Sequence, residues 1–435
     1  MSKVIILGAG MAGYGAARKF REENVEVLMF EKNDYYGGHC ASYLFDNKWV
    51  FDDGPHISFT KSEKVKDIFA SNIDNDYVEF QANPCNYWKG KWITHPAQVN
   101  LNGLNAEFNT QILTEMIDTY QESNPKIENY EQWLYSTYGK TFSENFPMKY
   151  TRKFHTTEAS NLTIDWLGPR LYKPKLEEVI YGMLSPAKSD VHYIKEFRYP
   201  RHGGYVSFMK GIERTIDIHF KHELSSINLS RNEIGFVNGR KVKYKYLISS
   251  LPLNKLILSI EDAPLEIKEA ANKLACTQCV LVNFGVNRPN ISDNHWIYFY
   301  DEDFYTTRLS FPSMFSSDLA PVGCSSIQAE IYFSDKYKPL TKKPEDYIPI
   351  IKDELIKCGI LGIRDEVLFS NAWLSPYAQV IFDHDRKPAV DLLHEFLIEN
   401  SIYYGGRFAD WSYAWSDESF LRGEHAAKEI LRKIK

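Results

Sequence analysis

Residues Val4-Ile-Ile-Leu-Gly-Ala-Gly-Met-Ala-Gly13 decide the fold of this chain. The apolar, β-branched run Val4 to Leu7 predicts a short buried parallel strand, and glycines 8, 10 and 13 follow it without a spacer. Tyr14 to Glu23 then reads as a helix. Each glycine has its own task. Gly8 permits a tight turn, Gly10 lets backbone approach a pyrophosphate, and Gly13 allows the helix to pack closely on the strand. The helix N-terminus faces the anion. A second strand, Val25 to Phe30, ends at Glu31, 18 residues past Gly13, where a carboxylate accepts hydrogen bonds from ribose hydroxyls. Strand, glycines, helix, strand and acid in this register define a dinucleotide-binding α/β unit. They leave open whether the nucleotide is NAD or FAD.

The chain has 435 residues, more than one hydrophobic core organises, so two or three domains are expected. Hydrophobic residues make up 44% and charged residues 25%, as in an ordinary globular protein, while 28 Tyr and 26 Phe favour pockets for flat ligands. A net charge of -6 with no basic stripe excludes nucleic acid and anionic membrane as expected partners. No apolar run reaches the roughly 18 to 20 residues of a membrane-spanning helix. Glycines interrupt the apolar N-terminus too early for a signal peptide, and a cytoplasmic protein is expected. Six cysteines are too few for a disulfide framework. Cys276 and Cys279 form a CxxC with no second pair that runs into the strand-like Val280-Leu-Val-Asn-Phe284, so no metal site is expected.

Further segments narrow the reading. Tyr35-Tyr-Gly-Gly-His39 and Phe51-Asp-Asp-Gly-Pro-His-Ile-Ser-Phe59 follow Glu31. Near the far end stand Tyr404-Gly-Gly-Arg-Phe408, Trp411-Ser-Tyr413-Ala-Trp415, and a helix-like stretch from Ser416 to Lys433. Between them lie Trp92-Ile-Thr-His-Pro-Ala-Gln98, Trp166-Leu-Gly-Pro-Arg170, Phe197-Arg-Tyr-Pro-Arg-His-Gly-Gly204 and Trp296-Ile-Tyr-Phe299. This combination resembles the flavoprotein superfamily of amine oxidases, protoporphyrinogen oxidases and UDP-galactopyranose mutases, and within it the mutases. The resemblance runs over nearly the whole chain. It implies non-covalent FAD held by Gly8, Gly10, Gly13, Glu31, Gly38, His39, Gly54, His56, Gly406 and Arg407. Independently of the resemblance, Gly405-Gly406 at a strand end permits close backbone approach, and Arg407 after it is placed to neutralise a pyrophosphate.

The expected architecture is α/β. Residues 1–65, 196–265 and 385–435 form a discontinuous Rossmann-like FAD-binding domain, with Val242 to Pro252 as one of its strands. Residues 80–104 and 276–384 form an antiparallel-sheet substrate domain, and 105–190 a helical cap.

The mutase resemblance implies a reaction without net oxidation: N5 of reduced flavin attacks the anomeric carbon of a nucleotide sugar, displaces the nucleoside diphosphate, and the ring recloses between pyranose and furanose forms. Such chemistry requires fixed positive charge and donors around the departing diphosphate. Arg170 and Arg308 match the family's diphosphate-binding arginines, Tyr298 and Tyr413 its diphosphate-binding tyrosines, and His56 lies in the segment placed against the flavin. Where fungal mutases have a tyrosine near uracil this chain has His95, with Gln98 kept. His155 stands for a tryptophan of the sugar pocket, and Arg386 falls where a further tyrosine belongs. These departures imply a pocket retuned for another base or sugar. The reductant is expected to be external, either a reductase or a visiting NAD(P)H, and an assembly of identical chains is compatible with the sequence. Two other classes compete: an FAD-dependent oxidase or desaturase acting on an amine, porphyrinogen or polyene, and a non-catalytic binding protein of the same architecture. An oxidase needs no paired arginines, and a binding protein needs no intact flavin glycines.

Overall fold

The computed structural model describes residues 4–121, 126–168, 171–186 and 193–434. Val4–Leu7, buried along its whole length, is the central strand of a five-stranded, all-parallel sheet. Its neighbours are Val27–Phe30 and Tyr246–Ser249, and the edges are Ile218–His219 and Ile402–Tyr404. The helix Met11–Glu22 follows the first strand directly and packs tightly upon it, since a Cβ on Gly13 would stand 2.0 Å from the Gly8 carbonyl oxygen. Only glycine fits there. The C-terminal helix Ser416–Ile434 lies alongside, with the rings of Tyr14 and Phe420 edge-on at 5.4 Å. Strands from positions 4, 27, 218, 246 and 402 thus build one sheet from distant parts of the chain.

The segment from Val242 onward is not one strand. Lys241–Lys243 completes a three-stranded antiparallel sheet with Leu224–Asn228 and Glu233–Phe236, and the chain then turns into the parallel strand Tyr246–Ser249. Two sheets divide the stretch because Val242 pairs with Ile234 while Tyr246 pairs with Val4. Between them the Tyr244 amide donates to the Asn232 carbonyl at 2.9 Å.

The second layer is a seven-stranded sheet. In order, its strands are Val367–Val380, Cys276–Val286, Ser325–Phe333, Arg308–Ser310, Trp296–Phe299, Pro84–Trp88 and Lys91–Thr94. Every pairing is antiparallel except that of Trp296–Phe299 with Pro84–Trp88, which is parallel. That one parallel pair joins the piece near residue 90 to the piece that begins at 276.

Four helices, Ala106–Gln121, Tyr130–Asn145, Pro147–Phe154 and Leu176–Leu184, cover one end of this sheet. Aromatic contacts hold them: Phe146 packs on Trp88 at 5.0 Å and edge-on to Tyr300 at 5.2 Å. Lys153 pins the third of these helices to the sheet, its Nζ donating to the carbonyls of Phe299, Asp301 and Thr306 at 3.1, 2.8 and 2.6 Å. Burial pushes this ammonium down to about 7, although three acceptors compensate its charge. Among the described residues no helix is long and apolar enough to cross a membrane.

Candidate functional site

A cavity of about 850 Å³ runs from the glycine turn of the parallel sheet to the face of the seven-stranded sheet. At its first end the backbone forms a cradle. Gly8 has φ +97°, a turn conformation that L side chains rarely adopt. Gly10 precedes the first helix, whose N-terminus has no side-chain cap. A Cβ on Gly10 would meet no protein atom nearer than 3.8 Å. Gly10, Met11 and Ala12 line the cavity, so the first helix amides border it, and the uncapped helix end favours an anion there. Glu31 is buried, its Oε2 accepting from the Ala9 amide at 2.9 Å and its Oε1 from the Asn33 amide at 3.0 Å. One lone pair on each oxygen remains for ribose hydroxyls, and the carboxylate lines the cavity. These features fit a dinucleotide.

Two more segments close around this half. Gly38, His39, Gly406 and Arg407 all line it, and the His39 ring meets that of Phe408 at 5.2 Å. The Arg407 guanidinium donates to Gln379 Oε1 and stands 5.5 Å from the Tyr413 ring. The turn at Gly54, with φ +89°, brings in His56, whose Nδ1 lies 2.8 Å from the Gly54 carbonyl. Because a carbonyl only accepts, Nδ1 carries the proton and Nε2 is left as an acceptor. Burial lowers the His56 pKa to about 4, so the ring is neutral at physiological pH. Burial alone would raise the neighbouring Asp53, but His39, Trp373 and Ser375 hold its carboxylate below the usual range. The indole of Trp373 and the hydroxyl of Ser375 each donate to it at 3.0 Å.

The opposite wall comes from strand register. Tyr298 pairs with Arg308, Arg308 with Glu330, Glu330 with Leu281, and Leu281 with Trp373. Residues opposite one another share a face, so these five form a row across the sheet, and all five line the cavity. Arg308 donates from Nη2 to Glu330 Oε1 at 2.8 Å and from Nε to the other carboxylate oxygen, a bidentate pair. Tyr332, two residues along, donates to Glu330 Oε1 at 2.8 Å. Tyr298 accepts from Trp296 Nε1 at 2.9 Å. Its hydroxyl is pushed up in pKa by burial, against the lowering effect of Arg308 beside it.

His95 Nδ1 lies 2.9 Å from Asn86 Oδ1, and its ring is tilted against Tyr298 at 4.8 Å. His155 is buried beside Trp166 at 5.0 Å, with no hydrogen-bond partner at Nδ1. Burial pushes its pKa down to about 3, so this ring is neutral too. Tyr413 stacks on Phe382 at 4.9 Å.

Three residues of the sequence reading stand differently. Gln98 donates to the Tyr172 carbonyl at 3.3 Å and is not among the residues that line the cavity. Arg386 is also behind the wall: its guanidinium lies 4.1 Å over Phe382, on whose ring Tyr413 stacks, and its Nε donates to the Trp411 carbonyl at 2.8 Å. An arginine at a helix start thus supports the Tyr413 loop. Arg170 lies outside the described residues. Sequence reading missed Glu330, Tyr332 and Trp373, because their place depends on pairing between strands far apart in the chain.

Residues 6–71 match the family of NAD(P)-binding Rossmann-like domains. The chain is 24% identical over 273 residues to 1-hydroxycarotenoid 3,4-desaturase of Flavobacterium sp. (strain P99-3), covering 55% of this chain and 54% of that protein. It is 32% identical over 123 residues to dTDP-fucopyranose mutase of Escherichia coli, covering 26% and 29%. The chain thus spans about half, or less, of the length of these curated relatives. Among solved structures, cyclohexylamine oxidase from Brevibacterium oxydans superposes with a TM-score of 0.68 at 13% identity, over 100% of this chain and 99% of that one. Reduced UDP-galactopyranose mutase superposes with a TM-score of 0.92 at 22% identity, over 100% and 96%. The protein is therefore a Rossmann-type α/β protein of the architecture that amine oxidases and mutases share. Its fold is that of UDP-galactopyranose mutase.

Proposed function

We propose that the chain is an FAD-dependent mutase that interconverts the pyranose and furanose forms of a nucleotide sugar. The observation that carries this reading is the arrangement of one cavity, with a dinucleotide cradle at one end and a tyrosine–arginine row facing it from the other. The 32% identity to a dTDP-fucopyranose mutase, over part of the chain, supports the same class. Gly8, Gly10, Gly13, Glu31, Gly38, His39, Gly54, His56, Gly406 and Arg407 hold FAD, which in its reduced form supplies the nucleophile for the anomeric carbon.

The protein's own part is to bind, orient and stabilise charge. Arg308, with Arg170, receives the diphosphate, and Tyr298 and Tyr413 donate hydroxyl protons to it. Entering phosphates lose hydration, and charge-assisted bonds from arginine offset that loss best. Contacts that strengthen as the diphosphate departs accelerate the reaction. The neutral His56 lies against the flavin through its backbone as much as its ring. His95 with Tyr298 receives the base, and the neutral His155 faces the sugar. Arg386 acts behind Tyr413, and Gln98 holds the backbone at Tyr172. Residues 1–65, 196–265 and 385–435 serve FAD, 80–104 with 276–384 the substrate, and 105–190 closes the cavity. The protein works in the cytoplasm and draws electrons from an external reductase or NAD(P)H.

Titration of UDP and dTDP into the FAD-loaded protein, followed by flavin fluorescence, tests the reading. Saturable binding of either nucleotide is expected. No binding of either, together with oxidation of a polyene, would instead favour the dehydrogenating role of the desaturase relative.

A further inference from the structure

We propose that Glu330 is the positioning carboxylate of the anion seat: it fixes the guanidinium of Arg308 with one edge toward the cavity, and its charge keeps the seat from holding a nucleoside diphosphate too tightly for turnover. This rests on the nucleotide-sugar reading above.

Glu330 and Arg308 face each other in strand register, so the pair is a built feature of the sheet and not a chance approach of long side chains. The carboxylate engages Nε and one N–H of Nη2. A further N–H is directed at the Tyr298 hydroxyl, which leaves two of the five N–H groups for a ligand. Exposure agrees with this division, since the Arg308 side chain is 22% exposed and that of Glu330 only 5%. Tyr332, which also lines the cavity, donates its hydroxyl to the carboxylate. In front, a Cβ on Gly54 would lie 3.9 Å from Glu330 Oε1, so the carboxylate borders the turn that carries His56. An anion bound to Arg308 therefore meets a fixed negative charge one side chain away.

The consequence has an unusual sign. If Glu330 were a purely structural anchor, its removal would loosen Arg308 and weaken binding. If it tempers the seat, removal of its charge strengthens diphosphate binding while misplacing the guanidinium for the reaction. Glu330→Gln keeps the size and one acceptor for Arg308 but discards the charge. For one like charge removed from a partly desolvated pocket, UDP or dTDP should bind on the order of tenfold more tightly. At the same time kcat should fall about tenfold, with KM lower than in the wild type, because ground-state binding gains what the transition state loses.

The experiment measures nucleotide Kd by flavin fluorescence, and kcat and KM separately, on FAD-loaded wild type, Glu330→Gln and Tyr332→Phe. Tyr332→Phe keeps the charge and removes one support, so it should retain Kd within about twofold while kcat falls. If Glu330→Gln does not retain FAD, that second variant decides, and wild-type kcat in it overturns the proposal. Weakened or unchanged nucleotide binding in a folded Glu330→Gln protein also overturns it and leaves the mutase reading standing. Absence of nucleotide binding in the wild type removes the mutase reading itself, and this inference with it.

Discussion

The indole Nε1–H of Trp296 donates to the hydroxyl oxygen of Tyr298 at 2.9 Å. The guanidinium of Arg308 stands beside the same oxygen. With both approaches to its lone pairs taken by donors, the hydroxyl proton of Tyr298 is available to an acceptor in the cavity. Trp296 and Tyr298 are two apart on one strand and share a face, so the orientation is set by the backbone.

Tyr298→Phe should accordingly weaken binding of UDP or dTDP by about 1.5 to 3 kcal/mol, the range for a hydrogen bond to a charged group. Stability should change less, since the ring still packs against His95. Calorimetric titration of the FAD-loaded variant checks it. Unaltered nucleotide affinity would show that the hydroxyl points elsewhere.

Arg308→Ala should cost roughly tenfold to a hundredfold in nucleotide affinity at unchanged FAD content. Lysine should restore only part, because it lacks the planar fork that pairs with Glu330. Fluorescence titration with FAD occupancy measured alongside separates this from loss of the cofactor. Equal affinity in wild type and Arg308→Ala would contradict the placement of the anion seat.

Gly10→Val should give a colourless protein. The added Cβ would already stand 3.8 Å from the Gly38 backbone, and the γ carbons beyond it compete for the space between the two glycine turns that the dinucleotide reading gives to the phosphates. A far-ultraviolet spectrum like that of the wild type, with the flavin's visible absorbance lost, is the expected pair of results. Retention of full FAD would refute the cradle.

Acid should destabilise the fold in a window set by His56 and His155. Burial lowers their pKa values to about 4 and about 3, from 6.5 for an unperturbed ring. The folded state therefore binds fewer protons than the unfolded chain below about pH 6.5. Stability is fully present above that pH and is lost as pH falls toward 4 and then 3. Each histidine contributes a slope of up to about 1.4 kcal/mol per pH unit. In His155→Gln one such slope disappears, so stability measured by urea unfolding at pH 7, 6, 5 and 4 should fall less steeply than in the wild type. Identical slopes would contradict the neutral, buried state of this ring.

The parallel half of the fold was legible in the sequence because its signals are local. Val4–Leu7, the glycines, and the helix from Met11 adjoin one another, and their order fixes their geometry. The break at Tyr244 was not legible, since Val242 and Tyr246 are both good strand residues and only their partners, Ile234 and Val4, assign them to different sheets. The same reason hides the row across the seven-stranded sheet. Arg308 could be singled out from sequence, but Glu330 lies 22 residues later, beyond a helix and a turn, and only register places it opposite. Arg386 shows the converse: an arginine in a suggestive position whose guanidinium is taken up by Trp411 and Phe382.

The proposed mutase brings a nucleotide sugar to reduced FAD in one cavity for isomerisation without net oxidation. The direct measurement incubates anaerobic, dithionite-reduced protein and air-oxidised protein in parallel with UDP-galactopyranose and dTDP-fucopyranose, and separates the products by chromatography. A furanose isomer of at least one nucleotide sugar is expected from the reduced protein only, with no reductant consumed per turnover. No isomer from either sugar in the reduced state, together with hydrogen peroxide released in step with oxidation of an amine, porphyrinogen or polyene by the aerated protein, would contradict it.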